Sequence, residues 1–149
     1  MSLYDWLNSG WLKPRRSSRK EIQNLYRIII RDLKDAQQEH VSEDWRFAIA
    51  CNAARQCCTL ALYCSGYRPD RGSGGEHYRT INSLTDTMGS SFEEIRNYLD
   101  SCRSKRNASD YDTAGTISRH EVDELIKVAQ ELYEAVQKWQ YKNFPDFNE

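Results

Sequence analysis

The stretch Glu43–Gly66, EDWRFAIACNAARQCCTLALYCSG, decides the fold of this chain. Ser42 is placed to cap a helix whose first turn holds Glu43 and Asp44, and Gly66 is a typical residue to end it. Alanine and cysteine recur through the stretch and allow neighbouring elements to approach closely on several sides. We therefore predict a long helix at the centre of a helical bundle.

Apolar residues recur at helical spacing on both sides of this stretch. A capping box at Ser18–Glu21 predicts a helix that runs to about Glu39. Further along, we predict a modest helix over 76–88, a helix that begins with a capping box at Ser91–Glu94, and a last long helix that begins at Ser118–Glu121. No strand pattern competes. We expect an all-α fold, an antiparallel up-down bundle of four main helices and a shorter one.

The length of 149 residues favours a single domain. We divide the chain into an N-terminal arm, 1–16, a helical bundle, 17–141, and a C-terminal tail, 142–149. Trp6 and Trp11 are expected to dock the arm on the body, and a partner surface is the alternative.

The composition limits the classes of partner and compartment. A net charge of −1 gives no general attraction to nucleic acid or to an acidic membrane, so such contacts depend on local patches. The basic run from Lys13 to Lys20 is interpreted as a solvated helix entrance, with a phosphate-binding patch as the alternative. No apolar stretch approaches the ~20 residues of a membrane helix, and no basic leader is visible. We expect a cytoplasmic chain with no membrane contact.

The cysteines favour reduced, buried thiols over a metal centre. Their odd number and the absence of a leader indicate a reducing compartment, and no CxxC pair occurs. We expect no metal and no cofactor. The five residues are Cys51, Cys57, Cys58, Cys64 and Cys102.

Polar side chains of several chemical types are grouped between Cys102 and Asp112. Arg106 and Asn107 are adjacent. Tyr111 follows Arg106 by five positions, which turns these two side chains roughly 140° apart on a regular helix, so they converge only where the helix is bent or frayed. We predict Arg106 and Tyr111 as catalytic candidates. The predicted ligand-binding residues are Arg103, Lys105, Arg106, Asn107, Asp110, Tyr111, Asn52 and His77.

Two of these candidates lie outside the polar segment. Asn52 is on or beside the apolar stripe of the central helix, and it is either a satisfied buried amide or a polar contact toward Arg106. His77 begins the helix that follows the glycine-containing loop. There a hydrogen-bonded boundary histidine is commoner than a catalyst.

Three features of the sequence, taken in their order along the chain, resemble the HEPN superfamily. This superfamily consists of small all-α domains found in many prokaryotic defence and toxin–antitoxin loci. They are the central helix that ends in Cys64–Arg68, the loop and short helix with Gly74–His77, and the segment Arg103–Tyr111. The resemblance covers roughly residues 18–140. It implies a homodimer in which two copies of the polar segment face each other, and a nucleotidyltransferase-like partner protein would fit a toxin–antitoxin role.

Ribonuclease members of that family carry an Arg, four residues and then a His, often with a polar residue straight after the Arg. Arg106 and Asn107 match the first part of this motif, and Tyr111 stands in place of the His. The departure disfavours efficient nuclease activity.

Three hypotheses follow from the residues and the resemblance. In the first, the chain is a nucleotide-, RNA- or partner-binding module in which Arg106 holds a phosphate or carboxylate by a charge-assisted fork. In the second, it is a metal-independent endoribonuclease that uses Arg106 and Tyr111. In the third, Arg106 pairs with Asp110 or Asp112, and the segment only joins helices or seals a dimer.

Overall fold

The computed structural model describes residues 2–72, 74–111 and 114–149, and of residues 108–111 it describes only the backbone. Within this part, long helices predominate over a small two-stranded sheet. The elements in chain order are α1 (Leu3–Asn8), β1 (Leu12–Pro14), α2 (Arg19–Asp35), α3 (Glu43–Cys64), β2 (Tyr67–Pro69), α4 (Glu76–Asn82), α5 (Leu84–Met88), α6 (Glu93–Tyr111) and α7 (Arg119–Asn143), with 3-10 turns at Ser90–Phe92 and Pro145–Phe147.

Helix α3 lies at the centre of the bundle, as its small residues predict. It packs most extensively against α2 and α7 and also contacts α4, α5 and α6. Its alanines at 50, 53, 54 and 61 are buried together with Cys57, Cys58 and Leu60. The predicted all-α bundle with α2, α3, α6 and α7 as its main helices is therefore confirmed.

Side-chain caps fix the beginnings of three main helices. Ser18 and Ser118 form complete capping boxes with Glu21 and Glu121, and the Ser42 hydroxyl accepts a hydrogen bond from the backbone of Trp45. The predicted capping box at Ser91–Glu94 is wrong, because a 3-10 turn leads directly into α6 at Glu93.

Two helix boundaries differ from the prediction because buried polar groups end the helices early. Helix α2 stops at Asp35 rather than about Glu39, and the Arg46 Nε donates to the carbonyl of Ala36 at 2.8 Å. The helix predicted over 76–88 is divided into α4 and α5 at the buried Ser83, whose hydroxyl donates to the Thr80 carbonyl at 2.8 Å.

The expectation of no strands is corrected by a short antiparallel pair. Strand β1 pairs with β2, with Leu12 opposite Pro69. Leu12 is fully buried in a small cluster with Trp6 and Leu62, and the Arg79 guanidinium lies 5.0 Å from the centre of the Trp11 ring. The arm therefore docks on the end of α3 and on β2.

The end of α7 is held by a buried amide. The Tyr26 hydroxyl donates to the Gln140 Oε1 at 2.7 Å, and the Gln140 Nε2 donates to the Phe144 carbonyl at 2.8 Å. The tail also returns to α2, where the Gln23 amide donates to the Phe147 carbonyl. Among the described residues, no helix is both long enough and apolar enough to cross a membrane.

Candidate functional site

A narrow cleft lies where α3, α4 and α6 meet. Its volume is about 20 Å³, which is room for about one water molecule. Cationic and apolar side chains share its walls, and none of the described residues that line it is acidic. The lining residues are Cys51, Ala54 and Arg55 from α3, His77 and Ile81 from α4, and Leu99, Cys102, Arg103 and Arg106 from α6.

Helix α6 presents its cations to the cleft on the same face as its apolar anchors. Arg103 and Arg106 follow Leu99 by four and seven residues, which places all three on one side of the helix. Arg103 is also fixed locally, since its Nε donates to the Asp100 carboxylate at 3.0 Å and its guanidinium lies 5.4 Å from the centre of the Tyr78 ring. Burial of Leu99 thus orients the two arginines.

Arg55 brings a third guanidinium from α3, and a hydrogen-bonded chain holds it there. Its Nη2 donates to the Asn52 Oδ1, and the Asn52 Nδ2 donates to the Asp32 carboxylate at 2.6 Å. Asp32 lies on α2, is only 5% exposed and also accepts from the Arg31 Nε at 3.0 Å. A buried carboxylate on one helix therefore fixes the amide that positions a cation on the next.

The electrostatics of the cleft reflect crowding of like charges. Burial lowers the pKa of Arg55, and the charge of Arg106 lowers it further. The pKa of His77 lies below its ordinary value, first because of burial and then because of the charge of Arg55. An anion in the cleft would relieve both effects, because it would stabilise the charged form of each group.

The structure brings together only some of the predicted site residues. Arg103, Arg106 and His77 line the cleft, and Asn52 stands beside it as the hydrogen-bond partner of Arg55. The Asn52 amide is half-buried and is satisfied by Asp32 and Arg55. Its role as a polar contact toward Arg106 stays a prediction.

The other predicted residues contribute differently. Lys105 pairs with Glu121 at the start of α7, and Asn107 is exposed and does not line the cleft. The side chains of Asp110 and Tyr111 lie outside the described residues. The polar segment does not join two helices, because residues 102–111 form the last part of α6.

Arg55 was not predicted as a site residue, although its position in the sequence indicates one. It is the sole charged residue between Arg46 and Arg68, in a stretch of small and apolar residues. A cation that interrupts a buried helix needs a polar environment, since burial of an unpaired charge is costly. That signal predicts a polar site on α3.

Burial favours the protonated form of two cysteine thiols, one on α6 and one on α3. Burial raises the pKa of Cys102, and it raises the pKa of Cys58 on the neighbouring face of α3 to about 12. Within the part of the chain that the structure describes, no disulfide links the cysteines, and no cluster of metal-ligating side chains occurs.

The protein is an all-α bundle built on a central helix of small residues, and a cation-lined cleft lies between that helix and two others. The family model of the HEPN domain matches residues 22–139, which include every residue that lines the cleft, and the chain belongs to this family. A search among curated proteins found no match, and neither did a search among solved structures.

Proposed function

We propose that this HEPN-domain chain is an RNA-binding module whose cleft holds a backbone phosphate. The observation that carries the proposal is the convergence of Arg55, Arg103 and Arg106 from two helices, with His77 from a third, around a space with no acidic side chain among its described lining residues. Membership of the HEPN family supports a nucleotide- or RNA-related role.

The chemistry of the cleft suits a phosphate better than a larger group. Guanidinium groups bind phosphate oxygens through paired, charge-assisted hydrogen bonds. A space of about 20 Å³ admits a single oxygen atom, so the phosphate would sit at the mouth with one oxygen directed inward. The rest of the nucleotide would then lie on the surface of the bundle, where the protein would distinguish one base from another only weakly.

A second candidate function, metal-independent RNA cleavage, is favoured by the position of His77. Such cleavage requires a base that takes the proton from the ribose 2′-hydroxyl as its oxygen attacks the adjacent phosphorus. It also requires an acid that protonates the departing 5′-oxygen. The lowered pKa of His77 favours its neutral form, which can accept a proton, and Arg106 on the same cleft would stabilise the developing charge. We expect this activity to be weak, because a phenol at Tyr111 is a poor second proton-transfer group.

The wider setting also belongs to the proposal. We infer a homodimer in which two clefts face each other, a cytoplasmic location, and a role in a toxin–antitoxin or defence system with a nucleotidyltransferase-like partner. Family membership supports the dimer and the toxin–antitoxin or defence setting. The odd number of cysteines supports a reducing compartment.

The test is the affinity for a short fluorescein-labelled single-stranded RNA, measured by fluorescence anisotropy. Arg55→Ala and Arg106→Ala should each weaken binding at least tenfold, since a charge-assisted hydrogen bond contributes about 1.5–3 kcal/mol. Arg106→Lys should restore little, because lysine lacks the planar fork. Arg27→Ala is the matched control, as it removes the same charge from an exposed site on α2 that is paired with Glu149.

Stability must be followed in the same variants by thermal unfolding. The proposal requires that Arg106→Ala affect RNA binding more than it affects the unfolding temperature. If Arg106→Ala unfolds the protein, or if the Arg27 control weakens binding as much as the cleft variants, the arginines are structural or the attraction is nonspecific.

A further inference from the structure

A second, wider depression adjoins the cleft and is hereafter the Trp45 groove. It has a volume of about 160 Å³. Helix α3 supplies one wall with residues three, four and seven positions apart, which share one face of the helix. The groove is lined by Asp32 from α2, by Trp45, Ala48, Ile49 and Asn52 from α3, and by Arg106 from α6.

The indole of Trp45 is the unusual part of this lining. It is 63% exposed, whereas the other tryptophans of the chain, Trp6, Trp11 and Trp139, are buried or partly buried. Trp45 is in the first turn of α3, where the Ser42 cap fixes its backbone. A large flat ring is thus exposed to solvent in a groove whose lining also includes Ala48 and Ile49.

Arg106 connects the groove to the cleft. Its side chain lines both depressions, and Asn52, which also lines the groove, is the hydrogen-bond partner of Arg55 in the cleft. A phosphate at the mouth of the cleft would therefore have its attached nucleoside next to the groove. Asn52 and Asp32 contribute polar groups to this lining that are already paired with each other and with Arg55 and Arg31, so the exposed indole is the part of the groove that can contact a base.

We propose that the Trp45 groove receives an RNA base, which stacks on the indole of Trp45 while its phosphate is held by Arg55 and Arg106. This inference rests on the proposed function of the cleft and names the part of the ligand that the cleft does not hold. Stacking on an aromatic ring tolerates any base, so the groove adds affinity without strong sequence preference. The continuity with a cationic cleft favours a nucleotide over a second copy of the chain as the occupant.

The experiment compares two probes by fluorescence anisotropy. One is a short labelled single-stranded RNA, and the other is a labelled oligomer of the same length whose sugars carry no bases. Trp45→Ala should weaken binding of the RNA about 5- to 150-fold, the range that corresponds to loss of one stacked base, and should leave the base-free oligomer unaffected. Arg106→Ala should weaken binding of both probes, because both carry phosphates.

Two further variants make the comparison specific. Trp45→Phe keeps an aromatic face and should retain most of the affinity. Tyr141 is another exposed aromatic residue, 49% exposed on α7, and it lines neither the cleft nor the Trp45 groove. Tyr141→Ala should therefore leave the affinities for the RNA and for the base-free oligomer unchanged.

The outcomes separate the two proposals. If Trp45→Ala binds RNA as tightly as the wild type while Arg106→Ala binds it weakly, the stacking proposal is wrong and the proposal of a phosphate in the cleft is retained. If the wild type binds neither probe, the proposed function fails and the groove with it. If Trp45→Ala converts a dimer to a monomer in sedimentation, Trp45 contacts a second copy, and the stacking proposal is again overturned.

Discussion

At the scale of single residues, the position of Arg55 depends on a carboxylate one helix away. Asp32 is buried, and it accepts hydrogen bonds from Asn52 and from Arg31. Asn52 in turn accepts from Arg55, so its side chain is fixed at both ends. This arrangement reduces the conformational entropy that Arg55 would lose on binding an anion, which favours affinity.

His77 should make RNA binding dependent on pH. In the empty cleft its pKa lies below the ordinary value of about 6.5, because burial and the charge of Arg55 disfavour the charged form. A bound phosphate offsets the arginine charges and raises that pKa, so binding is coupled to proton uptake. Affinity should therefore increase as the pH falls from about 8 to below about 6.5, and it should level off only below the lowered pKa of His77 in the empty cleft; anisotropy titrations across this interval measure it.

The control for this prediction is His77→Gln, which keeps a polar side chain and cannot titrate. Its affinity should be nearly independent of pH over the same interval, since the variant lacks the imidazole whose proton uptake is coupled to binding. Superimposable pH profiles for His77→Gln and the wild type would show that His77 does not face the bound phosphate.

Part of the site can be predicted from single residues and their spacing. Arg103 and Arg106 recur with Leu99 and Cys102 at helical spacing, so a cationic edge beside a buried stripe follows from the sequence alone. The pairing of Lys105 with Glu121 does not follow, because it depends on how α7 returns against α6. Arg55 and Asp32 meet only through Asn52, and that contact depends on the packing of α2 against α3.

At the scale of elements, local chemistry predicts where helices begin better than where they end. The serines at 18, 42 and 118 each cap a helix with their own hydroxyl, and this interaction involves only neighbouring residues. The end of α2 is set instead by Arg46, which reaches back to the Ala36 carbonyl from the next helix. Strands β1 and β2 have three residues each, too few for an alternating pattern to show in the sequence.

The arm should stabilise the bundle through β1. Leu12 is fully buried against Trp6 and Leu62, so Leu12→Ala should lower the free energy of unfolding by about 2–5 kcal/mol. Urea denaturation followed by circular dichroism measures the change. Tyr4→Ala, at a residue of the same arm that is 66% exposed, should alter it by less than about 0.5 kcal/mol. Equal effects of the two substitutions would mean that the arm does not dock as described.

At the scale of the whole molecule, the chain carries a net charge of only −1 and has no general attraction for RNA. Binding must then depend on a local concentration of positive charge, and two facing clefts would provide more of it than one. We expect a homodimer, so sedimentation at micromolar concentration should give a mass near twice 17.5 kDa. A monomer at every concentration would rule out paired clefts.

The wild-type protein should be a poor ribonuclease. With His77 as the base, Tyr111 is left as the second proton-transfer group, and a phenol with a pKa near 10 is about three units from neutral pH, so it would transfer protons less efficiently than a histidine. Incubation with total RNA in the absence of metal, followed by electrophoresis, should show little cleavage. Robust cleavage that disappears in both Arg106→Ala and Tyr111→Phe would establish an enzyme in place of a binding module.

The salt dependence of RNA binding tests most directly whether the cleft holds a phosphate. Each phosphate contact with a single strand contributes about 0.7 to the slope of log K against log salt concentration. Arg55→Ala and Arg106→Ala should each reduce the magnitude of the wild-type slope by about 0.7, whereas Arg27→Ala on α2 should leave it unchanged. Equal slopes for the wild type and both cleft variants would contradict the proposal, because no phosphate would then be bound between these arginines.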